Sequence, residues 1–135
     1  MIDIHCHIYP DKVARKAADS VRDFYQIPGS IEMDGTVEML MERGAQAGIS
    51  RYVVLPVSNT PNRVRSINNF ILEQVHTHDC FIGFGTVHAE MEGLSEEVEW
   101  IMQQGLKGIK MHPDSQRFAI DDPRLFPVYD AIQDK

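Results

Sequence analysis

The sequence predicts an α/β protein with parallel strands, and three observations carry that prediction. Apolar runs short enough to be strands alternate with longer segments whose apolar residues recur at helical spacing. The run Arg51-Tyr52-Val53-Val54-Leu55-Pro56-Val57 is nearly continuous in apolar character, as expected of a strand covered on both faces. Histidines follow three of the four expected strands: His5 and His7, then His88, then His112. In barrel-type α/β proteins the carboxyl ends of the strands are where chemistry is assembled.

The first strand is Ile2-Asp3-Ile4-His5-Cys6-His7. Residues 10–25 read as a helix with Val13, Ala14, Ala17, Ala18 and Val21 on one stripe, broken by Ile27-Pro28-Gly29-Ser30. Thr36 predicts an N-cap for a second helix through Val37, Leu40 and Met41, closing at Gly48. After the second strand, a helix over 62–77 buries Val64, Ile67, Phe70, Ile71 and Val75. Phe81 to Val87 is the third strand. Ser95 predicts a cap for the next helix, placing Glu96 and Glu97 in its first turn toward the positive end of the dipole. Gly105 ends that helix. Leu106 to Met111 is the fourth strand, closed by His112-Pro113. Asp122 before Pro123 predicts a last helix through Leu125, Val128, Tyr129 and Ile132. Right-handed crossovers are expected between the parallel strands. Nothing in the composition marks a linker, so residues 1–135 read as a single domain.

A net charge of -7 opposes a phosphate-backbone partner, so nucleic acid is not expected. No apolar stretch is long enough to span a bilayer and no leader pattern opens the chain, so the expectation is a cytoplasmic protein without a membrane partner. The two cysteines have neither zinc-finger nor redox spacing. Cys6 takes the Ile2/Ile4 face of its strand, which predicts a buried free thiol.

Alternate residues of a strand share a face, so His5 and His7 point the same way with Asp3 behind them. Two imidazoles at a strand end can hold one ion of zinc, copper, iron or nickel. The plainer reading is a pair of solvent-exposed histidines. Asp3 either orients an imidazole or hydrogen-bonds to backbone. Lys110 and His112 share the inward face of the fourth strand, with Ile109 and Met111 turned onto helices. Lys110 is then an ammonium for a substrate carboxylate or for an interior acid. His112 either serves a substrate as proton donor or orienting group, or forms a structural turn with Pro113. Asn59, with Thr60 and Arg63, lies on the same rim and reads as a substrate contact or as part of a helix entry. Asp114 and Arg117 carry the same two readings. His88 has no assigned face, and His76 and His78 sit at the opposite end beside a helix C-terminus. Met33, Met39, Met41 and Met102 read as packing.

The opening Ile2 to Pro10, the segment Gly83-Phe84-Gly85-Thr86-Val87-His88 and above all Gly105 to Pro113 resemble the amidohydrolase superfamily, in the branch that includes decarboxylases. That resemblance implies a (β/α)8 TIM barrel holding a divalent metal, usually zinc, with His5 and His7 as metal ligands. It also admits a carbamylated lysine at Lys110, less in keeping with a mononuclear branch than a free ammonium. A complete barrel needs about 250 residues, so the implied structure is four strand–helix units, a half-barrel. The family's later ligands, after the fifth, sixth and eighth strands, have no counterpart here. The implied function is a metal-dependent hydrolase in which metal-activated water attacks an amide, ester or lactone of a small molecule, with Lys110 and Asn59 binding substrate and His112 catalytic. The alternatives are a metal-dependent decarboxylase on the same scaffold or a catalytically silent half-barrel. A related metal-dependent nuclease is disfavoured by the lack of a glutamate at a middle strand end. Open sheet edges predict a homo-oligomer.

Overall fold

The computed structural model describes residues 1–29 and 34–133. Ser30 and Met33, assigned above to a turn and to packing, lie outside the described residues. The first strand, β1 (Ile2–Cys6), pairs in parallel with β2 (Arg51–Val54), and β2 pairs in parallel with β3 (Phe81–Gly83). A second parallel pair joins β4 (Gly85–Thr86) to β5 (Ile109–Lys110). The expected third strand is therefore split at Phe84. Its amide donates back to Val54 O (3.1 Å), while on the other side Lys107 N donates to Gly83 O (2.8 Å) and Gly85 N to Gly108 O (2.9 Å). These bonds stitch the two parallel pairs into one sequence of neighbours. Among the described residues no pairing joins β1 to β5, so the strands do not close into a barrel.

The split has a steric cause. A Cβ at Gly83 would meet Val75, Ile71 and Leu106 at 2.6–2.9 Å, and one at Gly85 would meet Ile101 at 2.6 Å. Glycine lets helices α3 (Val64–Thr77) and α4 (Leu94–Gln103) press directly on the strand backbone. Across the sheet the Phe84 ring occupies the space that a Cβ on Gly108 would need. The fourth strand is correspondingly short, two residues rather than the six expected.

Tyr52, Val54 and Phe81 are buried on the helix-covered face, and Ile71, Val87, Val98, Ile101, Leu125 and Val128 complete the core there; Val64 is also fully buried. Helix α2 (Val37–Gln46) begins as the sequence predicts, with the Thr36 hydroxyl accepting the Met39 amide at 3.2 Å. Its Gly44 sits against Tyr52, whose hydroxyl a Cβ would overlap. Of the other methionines read as packing, Met41 and Met102 lie against the core, whereas Met39 is half-buried and does not join it.

Three local expectations need correction. Helix α1 (Asp11–Phe24) forms, but Val13 and Val21 are exposed and Ala14 is its buried residue. Ala14 lies beside Gly35, whose carbonyl accepts the Tyr9 amide at 3.0 Å. Helix α4 starts at Leu94, with Gly93 at the N-cap in the left-handed region (φ 68°), so Ser95 lies inside the first turn rather than capping it. Glu97 in that turn is buried, drawn inward by Arg65 and Asn68. The chain ends in α5 (Pro113–Gln116), which the sequence reading did not anticipate, and α6 (Phe126–Ile132). A single 3-10 turn over Pro123–Leu125 leads into α6, and Asp122 caps it by accepting the Arg124 amide at 3.0 Å.

Candidate active site

The site lies where β1, β2 and β5 end, and a β-bulge shapes its first wall. Ile2 pairs with Arg51, Asp3 with Tyr52, but Cys6 with Val54, so Ile4 and His5 together oppose Val53. Bulges of this kind re-aim side chains beside functional sites. The shift breaks the alternation assumed for β1. Asp3 does not stand behind the two imidazoles. Its carboxylate lies against the Cys6 thiol and accepts the His5 amide at 3.0 Å. Asp3 is thus the backbone-bonded carboxylate of the two alternatives. Cys6 is buried and free, as expected, although Ile2 and Ile4 are exposed. Burial, together with the Asp3 hydrogen bond and charge, pushes the Cys6 thiol up to about 12, so it stays protonated.

His5 and His7 still share one side. Their ring centroids are 5.1 Å apart at an interplanar angle of 55°. That is close enough for one nitrogen from each to reach a common ion about 2 Å away. His7 is half-buried, and its imidazole is lowered to about 4, first by desolvation, then by the charges of His5, Lys110 and His112. Around pH 7 His7 is therefore a neutral ring, the form that ligates metals. His5 at the end of β1, His7 just after it, and Lys110 and His112 at the end of β5 are thus within electrostatic reach of one another.

The residues present fit two positions of a metal's shell. Among the described residues no group of three or more histidines, cysteines, aspartates and glutamates converges. A catalytic zinc shell takes about three protein ligands, so the described residues of this chain do not by themselves complete one.

Lys110 pairs in register with Thr86, whose hydroxyl donates to Lys110 O at 2.9 Å, while Ile109 pairs with Gly85 on the helix side. Ile109 and Met111 pack against the core, as the alternation expected for this strand requires. His112 begins α5. Its Nδ1 accepts the Ser115 amide at 3.3 Å, and its Nε2 lies 2.6 Å from the Tyr25 hydroxyl. Asn59 is exposed in the loop after β2. His88 is buried, with Nδ1 accepting the Glu90 amide at 3.2 Å, a local turn bond. The His78 ring is tilted against Phe81, centroids 5.3 Å apart, and its backbone amide donates to Gln74 O, on the far side from this site.

Two contributors escaped the sequence reading. Gln116 is buried, and its side-chain amide donates to Ser58 O (2.8 Å) and Val87 O (2.7 Å) while accepting His112 N (2.7 Å). Tyr25 reaches His112 from 87 residues away. Neither leaves a sequence signal, because a glutamine in a polar loop and a tyrosine at a helix end are individually unremarkable.

An open cleft of about 900 Å³ lies between α2, α3 and the start of α1, lined in part by Asp34, Glu38, Glu42 and Glu73. It contains none of the residues gathered at His7, and it offers no converging set of donors. No helix among the described residues is long and apolar enough to cross a membrane. Comparison with protein-family models, with curated proteins and with solved structures returned no match.

Proposed function

We propose that this chain carries part of the active site of a metal-dependent hydrolase of the amidohydrolase type, on four strand–helix units that form half of a (β/α)8 barrel. One observation carries the reading: the rings of His5 and His7 stand 5.1 Å apart at the carboxyl end of β1, within electrostatic reach of Lys110 and His112 at the end of β5. A bound divalent ion, most simply zinc, would supply Lewis acidity and an activated water. The work of the chain's own residues follows from where they stand. His5 and His7 supply two nitrogen donors. Lys110 offers an ammonium to an anionic group of a small-molecule substrate, and Asn59 lies on the same rim. Cys6, protonated and turned to the helix side, stays out of the shell.

The exposed Ile2 and Ile4 lie on β1, which is paired on one side only among the described residues. We propose a second copy of the chain as their cover, and so a homo-oligomer. A monodisperse monomer in light scattering at micromolar concentration sinks that part of the reading.

The test of the metal site is metal content per chain by plasma mass spectrometry, after gel filtration without chelator. The wild-type chain should hold near-stoichiometric zinc or another transition metal, and the His5→Ala/His7→Ala double variant should hold none. Equal metal in both proteins, or none in either after zinc loading, overturns the assignment.

A further inference from the structure

The turn that closes α1 is built around one contact. Gln26 N donates to Asp23 O (3.2 Å) and Ile27 N to Arg22 O (3.0 Å), the paired bonds of a Schellman closure. Such a closure puts its central residue in the left-handed region, and here that residue is Gln26 (φ 53°) rather than glycine. The other non-glycine residue of positive φ among those described is Arg117 (φ 57°), which closes α5, the short helix that His112 begins. Both left-handed residues therefore stand at the ends of the two elements that meet through Tyr25 and His112. Strain of this kind persists where surrounding contacts fix the geometry.

His112 has both ring nitrogens engaged. A backbone amide can only donate, so Nδ1, facing Ser115 N, is the acceptor, and the neutral ring carries its proton on Nε2. Nε2–H then donates to Tyr25 Oη at 2.6 Å. The phenol O–H is left to donate outward, and Tyr25 is 52% exposed. Phe24 stands edge-on to both rings, with centroids 4.9 Å from Tyr25 and 6.1 Å from His112, and hems the pair in.

We propose that Tyr25 is a positioning residue: the Ser115 amide sets the Nε2–H form of His112, and Tyr25 accepts and holds that hydrogen, so that the phenol O–H, and not the imidazole, is the hydrogen this rim presents. The reading of that hydrogen as a substrate contact rests on the proposed hydrolase; the pairing itself does not.

Long-range proton–nitrogen NMR on the full chain with labelled histidine tests it, with His112 assigned through His112→Gln. The wild type should show an unprotonated Nδ1 and a protected Nε2–H. Tyr25→Phe should keep the amide spectrum of the fold yet speed exchange of the Nε2 proton about tenfold, whereas Phe24→Leu should change it far less. An Nδ1–H tautomer in the wild type overturns the proposal without any variant. So does a Tyr25→Phe protein whose Nε2 shift and exchange match the wild type. Zinc content of the same samples separates the two readings: a wild type that takes no zinc but shows the Nε2–H signature removes the hydrolase and leaves Tyr25 in its assigned role.

Discussion

The side chain of Asn68 serves Thr86 as a neighbouring strand would. Its Oδ1 accepts Thr86 N at 2.8 Å and its Nδ2 donates to Thr86 O at 2.9 Å, while Nδ2 also reaches Glu97 Oε1 at 2.8 Å. Both Asn68 and Thr86 are fully buried, so these peptide groups have no water to fall back on. Asn68→Ala should cost about 3 kcal/mol in urea unfolding, with Asn68→Asp intermediate or worse because it brings a second carboxylate to Glu97. A loss below about 1 kcal/mol would mean that water replaces the amide.

Glu97 and Arg65 should respond unequally. The Glu97 side chain is 5% exposed and that of Arg65 50%, with Arg65 Nη2 2.7 Å from Glu97 Oε2 and its guanidinium 4.1 Å over the Trp100 ring. Removing Arg65 leaves a buried carboxylate with Asn68 as its one remaining side-chain partner among the described residues, so Arg65→Ala should lose about 2 kcal/mol, discounted for the guanidinium's solvent contact. Glu97→Gln, which leaves no buried charge, should lose less. The opposite order in thermal or chemical unfolding would show that the pair is held by shape rather than by charge.

Stability should fall on the acid side through His7. Its folded value of about 4 lies below the ordinary 6.5, so the unfolded chain binds a proton first as pH drops. The contribution is fully present above about pH 6.5 and is lost between there and about 4. Its size is on the order of 2 kcal/mol, smaller than the full shift implies because the ring keeps some contact with water. His7→Gln should flatten the unfolding free energy over that window; an unchanged slope would place His7 in water.

Gln26→Gly should stabilise the chain. Glycine occupies the left-handed region without the clash that a Cβ brings, which is worth up to about 1 kcal/mol after its greater freedom in the unfolded chain is counted. A destabilised variant would show that the Gln26 side chain makes up for its backbone.

What the sequence made legible were features with a local cause. Thr36 and Asp122 each cap a helical turn as their side chains dictate, and the near-continuous apolar run at Tyr52 to Val54 lies in a strand of the parallel sheet. The shared side of His5 and His7 also follows from spacing. The bulge did not show, because two residues opposing one is a property of the pair β1 and β2 and not of β1 alone. It moved Asp3 from the histidines to Cys6. The break at Phe84 was hidden for a similar reason: it depends on how closely Ile71 and Ile101 approach Gly83 and Gly85. Exposed Val13 and Val21 carry the helical stripe without the burial it normally signals, since α1 is tied down at its two ends.

The amide of Gln116 reaches the segments after β2, after β4 and after β5 at once. Such a tie acts like a keystone: the rim of the site deforms as one body or not at all. The position of His112 is inherited from three strands rather than from its own loop, so a change at Ser58 or Val87 should be felt there as a rigid displacement.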